Sequence, residues 1–123
     1  MSAVEKPHPI TVPDGITKSE IKQRTLRTRD DVKLYYEIVG QSDRTIVLAN
    51  GLGGRLYSWG PILRNFRDRY RFISWDYRGL FESGAPEKIP RLSIPEHAED
   101  LKEILKATQT DSVVVAGWSM GVQ

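Results

Sequence analysis

The sequence predicts an α/β fold, a mostly parallel sheet with an antiparallel hairpin at its N-terminal edge. Three patterns point there. Apolar and polar residues alternate over residues 32–38, behind a polar-rich strand candidate at 22–29. Two short apolar runs, at 45–48 and 70–75, are each followed by a stretch with helical spacing. A β-branched run, Val113-Val114-Val115, then leads into a glycine-bounded serine. A hairpin followed by alternating strands and helices is the order that builds an antiparallel edge onto a parallel sheet.

Residues 22–29, the turn Asp30-Asp31 and residues 32–38 read as the hairpin, with Val32, Leu34, Tyr36 and Ile38 on one face and Lys33, Tyr35 and Glu37 on the other. Gln41-Ser42-Asp43 turns the chain into the buried run Thr45-Ile46-Val47-Leu48, which enters the glycine-rich Asn50-Gly51-Leu52-Gly53-Gly54. Ser58 is the expected cap of the next helix, with Pro61 in its first turn and Trp59, Ile62, Leu63 and Phe66 along one face. Residues 70–75 form the following strand, which ends at Asp76-Tyr77-Arg78-Gly79 with Ser83-Gly84-Ala85-Pro86 as a loop. Ser93-Ile94-Pro95-Glu96 has the form of a capping box, and Ile94, Ala98, Leu101 and Leu105 keep helical spacing to about residue 107. Residues 1–21, which hold Pro7, Pro9 and Pro13, read as a flexible leader, and the domain is expected to begin at residue 22.

Gly117-Trp118-Ser119-Met120-Gly121 spells G-x-S-x-G directly after a central-strand pattern. This is the form of a nucleophile elbow, a sharp strand-to-helix turn that lifts one serine oxygen above the sheet in a strained backbone conformation. Gly117 and Gly121 are explained mechanically, since strand and helix nearly touch at these positions and a side chain there collides. The plain alternative is a glycine-bounded loop after a core strand.

Together the hairpin, the loop at 50–54, Asp76-Tyr77-Arg78-Gly79-Leu80-Phe81-Glu82-Ser83 and the elbow make residues 22–123 resemble the α/β-hydrolase fold family. The resemblance implies a three-layer α/β/α hydrolase fold with strand order 1-2-4-3-5-6-7-8, present here only in part. Two positions depart from the family pattern. Asn50 stands where a histidine is usual, and Phe81 stands where a glycine commonly follows. An asparagine can also bridge backbone groups, so the first departure leaves the chemistry in place; the second reshapes the loop beside the pocket.

By the same resemblance Ser119 is the nucleophile, and the backbone amides of Leu52 and Met120 are the donors to the developing oxyanion. The family order is serine, acid, histidine, so the last two fall after residue 123. The chain is therefore expected to be the N-terminal part of a longer hydrolase, inactive by itself. His8 in the leader and His97 in the helix before the elbow read as solvated histidines. Asp76 reads as a strand-end aspartate tying the following turn together with Arg78. With no sixth strand beside it, the run at 113–116 is expected to be a sheet edge without charge, proline or bulge to protect it.

Composition sets bounds. Eighteen basic residues against 16 acidic leave a net charge of +2, too balanced to indicate a nucleic-acid or membrane partner. Arg64, Arg67, Arg69 and Arg71 interleave with Asp68 and apolar positions, as on a solvated rim. The absence of cysteine excludes a disulfide framework and thiolate metal sites. No cofactor or metal is expected, the partner is a small acyl substrate, and the cytoplasm is the default location. Two functions stand: a serine hydrolase of an ester, thioester or related acyl bond, or a non-catalytic binding or regulatory member of the family. Serine at the elbow disfavours the branches that use aspartate there, such as dehalogenases and most epoxide hydrolases.

Overall fold

The computed structural model describes residues 11–86 and 93–122. Its centre is a five-stranded mixed sheet of β1 (Ile21–Arg27), β2 (Lys33–Val39), β3 (Thr45–Ala49), β4 (Arg71–Trp75) and β5 (Val113–Gly117), in the order β1-β2-β4-β3-β5. The expected hairpin is present, with Ile21 opposite Val39 and Arg27 opposite Lys33. β2 meets β4 antiparallel, and β4, β3 and β5 run parallel. The order matches the first five strands that the resemblance implied.

Successive residues of β3 send side chains to opposite faces, which fixes two cores. On one face Leu48, Val39 and Phe72 pack with Leu63 of α1 (Gly60–Phe66) and with Leu56 and Trp59 of the 3-10 turn before it. On the other, Val47, Ala49, Ile73 and Trp75 pack with Ile104 of α2 (Ile94–Ala107). The result is helix, sheet, helix. No helix among the described residues is long and apolar enough to cross a membrane.

Several elements differ from the sequence expectation for identifiable reasons. Packing begins before residue 22: Ile16 is buried in the core that holds Leu48, Leu63 and Phe72, and Val12 lies against it. α1 starts at Gly60 rather than at a Ser58 cap, and Trp59 is its N-cap residue. The helix is short, so Leu63 and Trp59 carry the burial while Ile62 and Phe66 stay on the rim. Phe66 is covered there by the Arg69 guanidinium, 4.8 Å from its ring. Ser93 caps α2 in extended backbone, but its side chain makes no capping bond; Glu96, expected to complete the box, instead pairs with Arg29 at 2.7 Å.

Leu101 and Leu105 of the expected α2 face pack half-buried against the core. The fully buried residues of the helix are Asp100 and Ile104, which the spacing did not include, and Asp100 is held inward by Arg78. Arg78, itself buried, donates to Asp100 at 2.6 and 2.7 Å and to Asp30 of the hairpin turn at 2.7 and 2.9 Å. One guanidinium thus joins three segments.

β5 pairs only with β3 among the described residues, and Val114 is 64% and Val115 49% exposed. This is the unprotected edge that the sequence suggested.

Candidate active site

In a parallel sheet, a crevice opens at the carboxyl ends of two adjacent strands whose following segments leave toward opposite faces. β3 and β5 are such a pair. The chain after β3 goes to α1 on one face, whereas Met120 after β5 packs into the core on the α2 face. Loop 50–55 and the turn at Ser119 therefore flank one crevice.

Ser119 has φ of +55°, in the left-handed region that a non-glycine residue adopts only under constraint. The constraint is local. A Cβ on Gly121 would overlap the Ala49 carbonyl at the end of β3, and one on Gly117 would come within 2.5 Å of the Gly121 carbonyl oxygen. Trp118 donates its amide proton to the Ala49 carbonyl at 3.4 Å. A tight 3-10 turn at Ser119–Val122 completes the bend. Gly51 lies close to the turn as well: a Cβ there would stand 2.7 Å from the Trp118 ring, so the loop after β3 lies directly against the Trp118 side chain.

Asn50, where the family usually has histidine, is buried and fully used. Its amide nitrogen donates to Ser74 Oγ and the Trp75 carbonyl, both at 3.2 Å, and its oxygen accepts from Trp59 Nε1 at 2.7 Å. Tyr77 donates its hydroxyl proton to the Asn50 carbonyl at 2.5 Å. Beyond it the loop turns on a Gly54 N–H to Gly51 C=O bond of 2.9 Å, with Gly53 at φ +76°. Leu52 sits at the tip, 73% exposed, and its amide has no hydrogen-bond partner among the described residues.

Asp76 does tie down the following turn, by accepting the Glu82 N–H at 3.1 Å, but its cationic partner is Arg55 and not Arg78. Arg55 Nε and one terminal nitrogen reach the two carboxylate oxygens at 3.0 and 2.8 Å. Phe81 takes φ of +49°, which accounts for the glycine common at this place in the family, and the Arg55 guanidinium lies 4.8 Å from its ring.

Tyr35 and Glu37, which alternation places outward, are buried beside this pair. The loop after β4 covers them: Ser83 Oγ accepts the Tyr35 N–H at 2.9 Å and donates to the Asp76 carbonyl at 2.6 Å. Burial pushes the Glu37 carboxyl up to about 7, the Asp76 charge adds to the rise, and Arg55 opposes it. Asp76 is likewise raised by burial and held back by Arg55. Because Glu37 sits above its usual value of 4.5, the stability it contributes is complete below that value and is lost as pH rises through about 7. Glu37→Gln is expected to match the parent's urea midpoint near pH 4 and to exceed its stability at pH 8 by up to about 3 kcal/mol. Equal stability at pH 8 would discard the assignment.

His8 lies outside the described residues. His97 is not a freely solvated side chain: it is half-buried against Tyr77, ring centres 4.7 Å apart, and burial lowers its pKa. Its Nδ1 and Trp75 Nε1 are buried without hydrogen-bond partners among the described residues. Both residues line a cavity of about 130 Å³ between α2 and the turn, together with Ala49, Tyr77, Met120 and Gly121. The four arginines form a rim: Arg64 bonds the Asp14 carbonyl, Arg67 pairs with Glu20 at 2.7 Å, and Arg71 bonds Thr45 and Thr110.

Residues 44–121 match the model of the alpha/beta hydrolase fold. The chain belongs to that family. Serine hydrolase BPHL of Mus musculus is 33% identical over 93 residues, covering 73% of this chain and 32% of the relative. Epoxide hydrolase 1 of Caenorhabditis elegans is 30% identical over 91 residues, covering 73% and 22%. The crystal structure of epoxide hydrolase VrEH1 from Vigna radiata superposes with a TM-score of 0.75 at 23% identity, over 85% of this chain and 32% of that one. This chain thus spans about a third or less of the length of these hydrolases.

Proposed function

We propose that the chain is the N-terminal portion of a serine hydrolase that cleaves a carboxylic ester, thioester or related acyl bond. Ser119 Oγ attacks the acyl carbon, and the amides of Leu52 and Met120 receive the negative charge that develops on the carbonyl oxygen. The acid and the histidine that takes the serine proton lie after residue 123. Collapse of the tetrahedral adduct breaks the acyl C–O or C–S bond and expels the alcohol or thiol with the proton the histidine returns. A water then hydrolyses the acyl–Ser119 bond, releasing the carboxylic acid and restoring the hydroxyl. The protein needs no cofactor and works in the cytoplasm.

The observation that carries this reading is the left-handed Ser119 at the carboxyl end of β5, facing a loop whose tip amide is unpartnered among the described residues. That strain costs on the order of 1–3 kcal/mol and is held by the close approach of Gly117, Gly121 and the Ala49 carbonyl, which sets Ser119 apart from the left-handed turn residues Asp31 and Gln109. An epoxide hydrolase activity, suggested by the second relative's name, is disfavoured by serine at the elbow. A non-catalytic binding role remains the alternative, and labelling separates the two. In the full polypeptide that contains residues 1–123, a fluorophosphonate should modify Ser119 stoichiometrically; an unmodified Ser119 in folded protein overturns the proposal.

Backbone donation at Leu52 gives a second expected result. Leu52→Ala should keep most ester turnover, since the amide survives, whereas Leu52→Pro removes the donor and should lose roughly a hundredfold or more. Equal activity of the two variants would exclude that amide.

A further inference from the structure

Loop 51–54 contains three glycines and a single internal hydrogen bond, from Gly54 N–H to the Gly51 carbonyl. Glycine's backbone freedom means that such a loop does not fix its own tip. The near end is held by Asn50, through Ser74, Trp75, Trp59 and Tyr77. We propose that Arg55 is the positioning residue that holds the far end, clamping the loop onto Asp76 so that the Leu52 amide faces the Ser119 turn. This rests on the reading of that amide as an oxyanion donor.

The clamp is built on a rigid base. Asp76 is 2% exposed and is fixed from three sides: its amide donates to the Tyr35 carbonyl at 3.0 Å, its carbonyl accepts from Ser83 Oγ, and its carboxylate accepts the Glu82 N–H. Arg55 engages both carboxylate oxygens in parallel, the arrangement that fixes orientation as well as distance. The Phe81 and Tyr35 rings lie 4.8 and 6.0 Å from the guanidinium and leave it little room to swing. Through these contacts the loop after β3 inherits the position of the loop after β4.

Energetics favour a geometric role over a purely stabilising one. Desolvating two charges offsets much of their attraction, so a buried pair is weak evidence for net stability. Arg55 is also no receptor for a substrate anion by way of its fork, because both of the nitrogens that face Asp76 are committed there. Lysine cannot reproduce the fork, since its ammonium is a point donor on a flexible stem.

The test uses the full polypeptide, with steady-state turnover of a short-chain p-nitrophenyl ester, fluorophosphonate labelling, and hydrogen exchange at residues 51–55. Displacement of a donor by about 1 Å costs on the order of a hundredfold. Arg55→Met should therefore lower kcat roughly ten- to a hundredfold, with KM within about threefold, and speed exchange at Leu52, Gly53 and Gly54 alone. Arg55→Lys, which keeps the charge and should fold in any case, is expected to recover part of the lost kcat. Parental kcat in either variant, a rise in KM alone, or faster exchange throughout α1 and β4 overturns the clamp. If the parent itself shows neither turnover nor labelling, the Ser119 reading fails instead. Exchange at residues 52–54 then still decides whether Arg55 holds the loop.

Discussion

Ser119→Ala in the full polypeptide is expected to lower ester turnover by on the order of a millionfold, the size of loss seen when a triad serine is removed. Circular dichroism and the thermal midpoint should stay at the parent's values, because alanine fits the turn and only Oγ is lost. Gly121→Val is the structural counterpart. Its Cβ has no space beside the Ala49 carbonyl, and neither β3 nor the turn can retreat without breaking the β3–β5 register from Thr45–Val113 to Ala49–Gly117. That variant should fail to fold or to accumulate in soluble form. The two substitutions lie two residues apart and separate chemistry from scaffold. Near-parental turnover in folded Ser119→Ala would show that the turn is only a connection leaving the end of β5.

The contrast between these two positions also explains what was legible in the sequence. Period and punctuation settle element type. The alternation at 32–38, the apolar runs at 45–48 and 113–115, and the glycines around Ser119 each reflect a backbone requirement that no other pattern satisfies as well, and each lies where the pattern puts it. Charged pairing across distant segments leaves no such mark. Adjacency in the chain matches Asp76 with Arg78, yet the loop after β3 brings Arg55 to it from 21 residues away. Arg78, released, reaches Asp30 and Asp100 instead.

The same long-range effect overrides local pattern twice more. Tyr35 and Glu37 alternate as a solvent face would, and they are buried because Ser83 and Asp76 fold the following loop over them. Phe81 carries a signal that reads further: a bulky residue where a glycine is common implies a left-handed backbone held by its surroundings, here the hydrogen bonds of Leu80 to Tyr77, Ser83 to Leu80 and Glu82 to Asp76 on either side of it.

Asp100→Ala should produce the largest loss of stability of any single side-chain truncation on α2. Asp100 is fully buried and accepts two bonds from the buried Arg78, and Arg29 approaches it at 3.4 Å. Removing it takes away both of the hydrogen bonds that Arg78 makes to Asp100, so the buried guanidinium loses two charge-assisted bonds while Asp30 stays at 2.7 Å and Glu96 at 3.8 Å, which costs about 3–5 kcal/mol. Glu99→Ala on the same helix breaks the Glu99–Lys102 pair, whose side chains are 46% and 71% exposed, and should leave the urea midpoint close to the parent's, because an exposed pair is screened by solvent. The pH dependence points the same way. Hydrogen bonds from Arg78 hold the Asp30 carboxyl well below its usual value of 3.8. The stability this contributes is present above that value and is lost as pH falls below it. Parent and Glu99→Ala should therefore lose stability together below about pH 4, and Asp100→Ala should stand apart from both at neutral pH. Urea midpoints at about pH 7 and pH 3 measure all three. If Asp100→Ala costs no more than Glu99→Ala at neutral pH, Arg78 does not depend on Asp100, and the Arg78–Asp100 bonds are not what joins α2 to the hairpin and the β4 loop.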